Sequence, residues 1–389
     1  MLTSAQNLFL VLLCCSIFFN LFGFYAVLSF KKNHPVLKTP DTKFPQANHL
    51  NSIAILIPFH GREETTRRNL EAFCKQTLPP SEIRCGVDNP NDSAVPVIKQ
   101  IQKDFPSVNI TLNICSSSEY PNKKIQNLSS LAKGAEQDLV IAVDQDVFVP
   151  PDYLEDMAAH LCNPKTGMVT CLYRVSDSGH IGGILERLAV HSDFFPSVLI
   201  SEKLEKGLGF AFGATLGFKK ESLKKIGGFE SAGNYLADDH ELGRKIKELK
   251  YNVALSGVIV EHNPGTETFK EYWKRGIRAA RTHRICRPGG YFLSLFSQGL
   301  PWGIMGLCFS FSWLFIAVFT LWGITRLMTS AAGSHILRGK KRDTAYFLML
   351  PFHECLKFVF WILAFTGNKV IWSGKSYRVF TNGTFKEIF

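Results

Sequence analysis

The chain has 389 residues, of which 46% are hydrophobic and 20% are charged, and its mean hydropathy is only +0.04. The sequence has no repeat, low-complexity tract or metal-ligand cysteine spacing, which excludes fibres, solenoids, disordered scaffolds and structural zinc modules. The net charge of +11 suits an anionic ligand or anionic lipid. Because long apolar segments are also present, we expect no nucleic-acid partner.

Two stretches contain no Asp, Glu, Lys, Arg or His: residues 1–30 and residues 288–325. A bilayer core about 30 Å thick needs ~20 apolar residues per helical crossing. The first stretch therefore predicts a transmembrane anchor over residues 1–30, retained because a charged n-region is missing. Lys31 and Lys32 follow at once, and positive charge stays on the cytoplasmic side. This predicts a linker over residues 31–50 and a cytoplasmic domain over residues 51–287.

Strand and helix patterns alternate through the first half of this polar domain. Such alternation is typical of a doubly wound α/β sheet, whose ligands bind beyond the carboxyl ends of its strands. No Gly-x-Gly-x-x-Gly follows the first strand, so no dinucleotide cofactor is expected. The predicted strands are 53–58, 83–87, 109–114 and 139–143, and the helices between them are 63–76, 94–103 and 125–136.

Acidic residues stand at the ends of two of these strands. The second strand runs into Asp88-Asn-Pro-Asn-Asp92, a composition that turn chemistry alone would also produce. Asp144 and Asp146 follow a uniformly apolar strand, and their mutual repulsion predicts a divalent cation, Mg²⁺ or Mn²⁺, that bridges a diphosphate. Asp238 and Asp239 open a later helix. Capping explains acidic residues there, but one facing a cleft could act as a general base towards an acceptor hydroxyl.

Five arginines recur at every third position of a helix predicted to begin near Glu267. A step of three residues rotates about 60° backwards on a 3.6-residue turn, so the arginines wind around the helix. The earlier ones are expected to neutralise a leaving diphosphate. The later ones, beside the second apolar block, are expected to meet anionic headgroups or to form a positive-inside cluster. The five residues are Arg275, Arg278, Arg281, Arg284 and Arg287.

The C-terminal third predicts further membrane segments. Residues 288–328 form either one crossing or a hairpin that folds back near residues 299–303. We favour the hairpin, because it keeps the basic loop 329–344 on the cytoplasmic side. The membrane-associated segment and tail, residues 345–389, carry His353, Glu354 and Lys357 within an apolar stretch. Ionisable groups at membrane depth are costly, which predicts either a helix on the membrane surface or a functional interior.

At this point several motifs occur in a familiar order. The chain resembles the ceramide glucosyltransferase family of inverting, GT-A-type glycosyltransferases. Segments 170–174, 195–198 and 281–288 resemble more closely its bacterial branch associated with hopanoid biosynthesis. The motifs that carry the family resemblance are the first strand to Pro58, the acidic loop, Asn122-Lys-Lys-Ile-Gln-Asn-Leu128, Asp144-Gln-Asp146, Leu236-Ala-Asp-Asp-His240, the arginine helix and Trp372-Ser-Gly-Lys-Ser-Tyr-Arg378.

The resemblance implies a GT-A-type mixed sheet with membrane helices at both ends, a UDP-sugar donor and a membrane-lipid acceptor. It assigns the catalytic base to Asp239 and metal binding to Asp144 with Asp146. The family's first aspartate falls on Asn89, between Asp88 and Asp92, and the tryptophan of its RxxRW motif is replaced by Ala279. The implied nucleotide-sugar residues are Pro58, Asp88, Asn89, Asp92, Lys124, Asn127 and Asp144, and the implied leaving-group or acceptor residues are Arg275, Arg278, Arg281, Asp238 and His191.

The sequence thus predicts a glycosyltransferase of the bacterial inner membrane that moves one sugar from a UDP-sugar to a lipid hydroxyl with inversion. N-acetylglucosamine transfer to a hopanoid polyol is preferred, and ceramide glucosylation is the alternative. A processive polysaccharide synthase would usually show an intact QxxRW motif and more membrane spans. A non-catalytic nucleotide-sugar or lipid-binding protein would not need Asp144, Asp146 and Asp239 together.

Overall fold

The structure is a computed structural model that describes residues 4–38, 52–115, 119–309, 311–338, 345–372 and 374–388. Eight strands form its central sheet: β1 (Ile53–Phe59), β2 (Glu82–Val87), β3 (Ile110–Ile114), β4 (Leu139–Val143), β5 (Val147–Phe148), β6 (Thr166–Val175), β7 (Thr215–Lys219) and β8 (Asn252–His262). Their order is β3-β2-β1-β4-β7-β6-β8-β5. Strands β1 to β4 are parallel to one another, β7 runs antiparallel to its neighbours β4 and β6, and β8 is parallel to β6. The predicted GT-A-type mixed sheet is therefore confirmed.

The described helices include one π-helix, Val190–Phe194, placed directly between two α-helices. The α-helices are α1 (Ser4–Asn33), α2 (Thr66–Cys74), α3 (Val95–Asp104), α4 (Lys123–Lys133), α5 (Tyr153–Leu161), α6 (Ile181–Ala189), α7 (Phe195–Glu205), α8 (Lys220–Lys225), α9 (Asp238–Glu248), α10 (Phe269–Cys286), α11 (Pro288–Leu293), α12 (Gly299–Phe309), α13 (Trp313–Arg338) and α14 (Leu350–Ala364). Short 3-10 helices are Phe229–Ala232, Ser294–Ser297 and Ala345–Met349.

Both faces of the sheet are covered, as the apolar β1 sequence requires. Successive residues of a strand point to opposite faces. Ile55 and Ile57 belong to one buried cluster, with α2, α3 and α5, whereas Ala54 and Leu56 belong to a second cluster with α4 and α9. The second cluster also contains Phe30 near the end of α1. The anchor helix is thus packed into the core of the sheet domain.

Three described helices are long and apolar enough to cross a membrane: Gln6–Asn33, Trp313–Leu337 and Tyr346–Ala364. A fourth candidate is the pair Pro288–Ser297 and Gly299–Phe309, whose axes are bent by 51°. The predicted apolar helices at both ends of the chain are present. The helix Tyr346–Ala364 satisfies the length and composition of a span, although its charged residues predicted a surface-lying or interior segment.

The hairpin exists, but its predicted turn was wrong. Gly299, Gly303 and Gly306 of α12 lie directly against three aromatic rings of α13, in the reverse order along the chain: Trp322, Phe319 and Phe315. The two helices are therefore antiparallel, and the chain reverses between Phe309 and Trp313. The glycines read as turn residues in sequence serve instead as contact points, because a side chain there would collide with the rings.

The region after the hairpin also departs from the predicted boundaries. Residues 329–338 are the last turns of α13 rather than a loop, and the basic residues Lys340, Lys341 and Arg342 lie outside the described residues. The C-terminal tail forms a three-stranded antiparallel sheet. Its strands are β9 (Lys369–Trp372), β10 (Lys375–Val379) and β11 (Phe385–Glu387). It packs on Leu236 and Ile285 of the polar domain.

Candidate active site

The carboxyl ends of β4 and β8 open into a cavity of about 360 Å³. Because β1, β2, β4, β6 and β8 all point the same way, residues that follow them meet at one edge of the sheet. The cavity is lined by Asp144, Asp146, Val147, Tyr173, Glu186, Phe194, Phe212, Gly213, Ala214, Asp239, His262, Arg275 and Arg278. It brings together the predicted metal aspartates, the predicted base and two of the predicted arginines.

Asp144 and Asp146 stand at the end of β4, whose five residues are all buried. Burial raises the pKa of Asp144 to about 7, with Lys124 opposing the rise and Asp146 adding to it. The ammonium of Lys124 lies 2.6 Å from Asp144 Oδ1 and donates to the carbonyl of Gly213 at 2.8 Å. Carboxylate oxygens are the ligands that Mg²⁺ and Mn²⁺ prefer, and the position already attracts a cation. The two aspartates therefore fit a divalent-metal site.

His262, the last residue of β8, lies between two carboxylates. Its Nδ1 is 3.4 Å from Asp146 Oδ2, and its Nε2 is 3.4 Å from Glu186 Oε1. Although burial lowers the pKa of His262, the hydrogen bond and charge of Asp146 raise it to about 9. The sequence analysis missed His262 and Glu186. His262 ends a strand at the same sheet edge, but Glu261 precedes it and β8 also contains Asn252 and Ser256, so the uniformly apolar run that marked Asp144 is missing.

Asp239 faces the cavity from the first turn of α9. Its Oδ2 accepts a hydrogen bond from the Gly213 amide at 2.7 Å, and its Oδ1 accepts from the His240 amide at 2.7 Å. Burial raises the pKa of Asp239 to about 6, and the neighbouring charge of Asp238 adds to the rise. A carboxylate with that pKa is suited to accept a proton near neutral pH.

Asp238 points elsewhere and does not line the cavity. It is buried, and Asn122 Nδ2 donates to its Oδ1 at 3.4 Å. Asn122 also caps α4 by accepting from the Ile125 amide and donates to the carbonyl of Tyr235. Asp238 is therefore part of the contact between α4 and the loop that carries Asp239.

Three residues of the acidic loop after β2 differ in their hydrogen-bond partners. Asp92 accepts from the Gly61 amide at 2.9 Å and from the Ala94 amide at 2.8 Å, so both of its oxygens hold backbone. The Asn89 side chain accepts from the Asn91 amide at 2.8 Å, a local turn contact. Asp88 has a buried oxygen, Oδ1, without a hydrogen-bond partner in the described structure. Asp88 is therefore the carboxylate of this loop that keeps an unpartnered oxygen, and it does not line the 360 Å³ cavity.

Two further residues, Pro58 and Asn127, were predicted to bind the nucleotide sugar. Pro58 is in β1, where it pairs with Gly86 of β2. Asn127 is buried in α4, one turn after Lys124, and its side-chain oxygen has no partner among the described residues. Neither residue lines the 360 Å³ cavity.

The arginines of α10 point in different directions, as the winding argument predicted. Arg275 pairs with Glu186 and Glu267, each at 2.6 Å. Arg278 lines the cavity, and its guanidinium makes no hydrogen bond or ion pair with any described residue. Burial, together with the charge of Arg275, lowers the pKa of Arg278. Arg278 is thus the cation in the cavity best placed to bind an added anion.

The later arginines bind protein groups away from the cavity. Arg281 donates to the carbonyl of Lys369, and Arg284 donates to Asn368, so both hold the segment before β9. Arg287 pairs with Glu205 of α7. Arg281 was implied to meet the leaving group or acceptor, but it does not line the cavity. Arg284 and Arg287 were expected at lipid headgroups or in a positive-inside cluster, and both are engaged by the chain itself.

His191 does not reach the cavity either. It is fully buried in the π-helix, and its Nδ1 lies 3.4 Å from the hydroxyl of Tyr346. Tyr173, Phe194 and Phe212 give the cavity aromatic residues that the sequence analysis did not predict. These three residues are far apart in sequence and lack a shared pattern, so only the tertiary fold brings them together.

A larger cavity of about 460 Å³ lies on the other side of α6. Arg187 and Asp177 in its wall form an ion pair at 2.7 Å. None of the predicted site residues lines it. The smaller cavity is therefore the candidate active site.

Comparisons with known proteins identify relatives of this chain. The chain is 24% identical over 237 residues to ceramide glucosyltransferase 3 of Caenorhabditis elegans, which covers 61% of this chain and 51% of that protein. It is 22% identical over 253 residues to ceramide glucosyltransferase 1 of the same organism, covering 65% and 52%. The chain thus spans about half the length of these curated relatives.

A solved structure shares the fold. A mannosyltransferase from Pyrobaculum calidifontis, in complex with GDP-Man and Mn²⁺, superposes with a TM-score of 0.54 at 16% identity, over 93% of this chain and 98% of that one. The sequence also matches the profile of Glycosyl transferase family 21 over residues 13–385, which confirms the predicted resemblance at the level of the family. The chain belongs to glycosyl transferase family 21.

Proposed function

We propose that this protein transfers one sugar from a UDP-sugar to the hydroxyl of a membrane lipid, with inversion at the anomeric carbon. The observation that carries the proposal is the 360 Å³ cavity, where Asp144, Asp146, Asp239 and Arg278 face one another. These residues supply the three requirements of the reaction: a place for a metal-bound diphosphate, a base for the acceptor, and a cation for the leaving group.

The donor binds at the edge formed by β1, β2 and β4. Asp144 and Asp146 would hold a divalent cation, Mg²⁺ or Mn²⁺, which would supply positive charge to the diphosphate when bound. Asp88, with its unpaired buried oxygen, accepts hydrogen bonds from the nucleoside. Lys124, whose ammonium forms an ion pair with Asp144, adds a second positive charge near the same diphosphate.

Asp239 accepts the proton of the acceptor hydroxyl. The acceptor oxygen then forms a bond to the anomeric carbon, and the bond from that carbon to the diphosphate oxygen breaks. The amides of Gly213 and His240 hold the carboxylate in place during this step. A pKa of about 6 leaves Asp239 ionised at neutral pH and still basic enough to take the proton.

Arg278 binds the departing UDP. Its guanidinium is unpaired among the described residues, so a diphosphate would satisfy donors that are otherwise left without acceptors. Arg275 is held by Glu186 and Glu267 and serves to position that side of the cavity. Inversion follows from the family and not from these distances.

We place the catalytic domain on the cytoplasmic side of a bacterial inner membrane, because Lys31 and Lys32 follow the first apolar segment. The preferred substrates are UDP-N-acetylglucosamine and a hopanoid polyol. Glucose transfer to ceramide is the second candidate, supported by the names of the two Caenorhabditis elegans relatives.

Lipid mass spectrometry tests both candidates at once. Membranes that contain the protein are incubated with UDP-N-acetylglucosamine or UDP-glucose and with a hopanoid polyol or ceramide. Membranes with Asp239→Asn at the same level are the matched control. We expect a lipid heavier by one N-acetylhexosamine residue from the wild type alone. A glucosylated ceramide would select the second candidate, and no sugar-bearing lipid from any pair would contradict the proposed function.

A further inference from the structure

The lining of the active-site cavity combines charged and aromatic residues. The charged residues are the carboxylates, His262 and the arginines. The aromatic residues contact one another: the ring centroids of Tyr173 and Phe194 are 5.2 Å apart, and those of Phe194 and Phe212 are 4.9 Å apart. We call these three residues the aromatic wall; Tyr173 also meets the ring of His262 edge-on at 5.9 Å. The proposed function assigns the diphosphate and nucleoside of the donor to charged residues and leaves the aromatic wall without a role.

Phe194 is the central residue of the aromatic wall and ends the π-helix Val190–Phe194. The first three residues of that π-helix, Val190, His191 and Ser192, are buried, whereas Phe194 is only partly buried and lines the cavity. A π-helix inserts an extra residue into a helical turn and occurs frequently at functional sites. Here the insertion lies between α6 and α7, and it directs one large apolar side chain towards the reacting groups.

The same π-helix is fastened to the membrane helices. Arg326 of α13 donates to the carbonyl of Ser192 at 2.6 Å and to Asp193 Oδ1 at 2.8 Å. From α14, His353 lies 2.7 Å from Asp193 Oδ2, and the Lys357 ammonium donates to Asp193 Oδ1 at 3.0 Å. These contacts are buried or partly buried, so water and salt screen them less than they screen surface ion pairs. The backbone that carries Phe194 is therefore fixed by helices long and apolar enough to lie in a bilayer.

Close packing strengthens this attachment. A Cβ atom at Gly333 of α13 would collide with the carbonyl oxygen of His191, so the absence of a side chain lets the two helices touch. On the far side, Phe30 of α1 meets the ring of Phe195 edge-on at 5.3 Å. The π-helix is thus held by α13 and α14, and α1 packs on Phe195, the residue that follows it.

The ionic cluster itself is complete without a ligand. One ligand atom from each of Asp193, His353 and Glu354 lies within 4.8 Å of the others, a spacing that could suit a metal ion. Arg326 and Lys357 already pair with both carboxylates, however, at 2.5 to 3.0 Å. The charges of the cluster are therefore balanced without a metal ion, and the cluster attaches the π-helix to α13 and α14.

We infer that the aromatic wall is the subsite for the apolar body of the lipid acceptor, next to its reacting hydroxyl, with Phe194 as the main determinant of which lipids fit. This assignment rests on the proposed function. A lipid acceptor has its chains in the bilayer and must present a hydroxyl to Asp239. The aromatic wall supplies large apolar side chains to the cavity, and the backbone of Phe194 is held by side chains of α13 and α14.

Substitution of Phe194 in the full-length protein tests the assignment. Phe194→Ala removes the ring, Phe194→Leu keeps most of the apolar volume, and Phe18→Ala makes the same change on an exposed face of α1. The measurements are the Michaelis constant and turnover for the lipids that the wild type glycosylates among ceramide, diacylglycerol and a hopanoid polyol, in mixed micelles. Titration calorimetry of UDP with Mn²⁺ reports the donor side of the same variants.

We expect Phe194→Ala to raise the Michaelis constant for the lipid about tenfold. Phe194→Leu should recover most of that loss, and Phe18→Ala should match the wild type. UDP affinity should be unchanged in all three. A loss of UDP affinity or an increased Michaelis constant for the UDP-sugar in Phe194→Ala would assign the aromatic wall to the donor and overturn the inference. An unchanged lipid constant would overturn it equally, whereas failure of the wild type to bind UDP would refute the proposed function first.

Discussion

Two clusters of buried charge lie on either side of the π-helix, and they differ in how their charges are balanced. In the junction cluster, formed by Asp193, Arg326, His353, Glu354 and Lys357, each carboxylate is paired with a cation. In the active-site cavity, Arg278 has no partner among the described residues, and burial raises the pKa of Asp144 and Asp239. Complete pairing is expected of a structural contact, and incomplete pairing is expected where a ligand supplies the missing charge.

The largest effect is expected from Arg326→Met, which removes a cation from the junction cluster. Removing one partner of a buried ion pair leaves uncompensated charge and costs about 3–5 kcal/mol. We expect a large fall in the melting temperature of the protein in detergent. The control is Arg67→Met, because Arg67 forms exposed ion pairs with Glu71 and Asp104 and its loss should leave the melting temperature unchanged. Equal melting temperatures for both variants would remove the junction cluster from the account.

In the active-site cavity, Asp239→Asn should lower activity far more than stability. Asparagine keeps the side-chain shape and can still accept from the Gly213 amide, but it cannot take a proton. We expect turnover to fall ~10²-fold or more with UDP affinity unchanged, and only a small fall in the melting temperature, because asparagine keeps one of the two bonds from backbone amides. Steady-state kinetics on lipid transfer give the first quantity. Near-normal turnover would leave Asp239 as a helix-terminal residue only.

The arginine helix allows a finer version of the same comparison. Arg278→Ala should lower turnover in detergent roughly 30-fold, since a charge-assisted hydrogen bond to the leaving group contributes about 2 kcal/mol. Arg284→Ala should instead lower the melting temperature, because Arg284 holds Asn368 before the C-terminal sheet. If the two variants lost turnover to the same extent at the same stability, the division of the arginines would be wrong.

The loop after β2 predicts a smaller effect. Asp88→Ala should raise the Michaelis constant for the UDP-sugar roughly tenfold, equivalent to ~1.4 kcal/mol, because its unpaired oxygen is the proposed nucleoside acceptor. Asn89→Asp should change that constant little. Asp92→Ala should act on stability, because Asp92 accepts from two backbone amides. A tenfold effect from Asn89→Asp would return the donor contact to position 89.

The smallest expected effect is the pH dependence of turnover. Asp239 must be ionised to accept a proton, and burial places its pKa at about 6. Turnover should therefore fall as pH decreases through 6, approaching tenfold per pH unit below it. Initial rates between pH 5 and 8 would show this, with the melting temperature followed over the same range. A rate that is constant down to pH 5 would mean that another group takes the proton.

Local patterns predicted the parts of the fold that local sequence determines. The apolar run of β4 was placed at its observed bounds, and the strand ends correctly pointed to Asp144 and Asp146 at one edge of the sheet. The helix α10 begins two residues after Glu267, where Thr268 and Glu271 form a capping box. In each of these cases the burial and hydrogen bonding within a few residues decide the outcome.

The missed features depend on contacts between distant parts of the chain. Glu186 and Phe194 reach the cavity only because α6 and the π-helix pack beside β6 and α10. The hairpin turn was misplaced because glycine supports both tight turns and close helix contacts, and sequence alone does not separate the two. The C-terminal sheet was predicted to be a membrane-associated tail. In the structure its apolar residues instead pack against Leu236 and Ile285, which are distant in sequence.

The central claim is that the cavity at the end of β4 binds a nucleotide diphosphate through a divalent metal. Titration calorimetry of UDP into the purified full-length protein, with Mn²⁺ and then with EDTA, tests it most directly. The account predicts saturable binding in Mn²⁺ that is lost in EDTA and in Asp146→Ala. Undetectable binding of UDP by the wild type in Mn²⁺, or equal binding in EDTA, would contradict it.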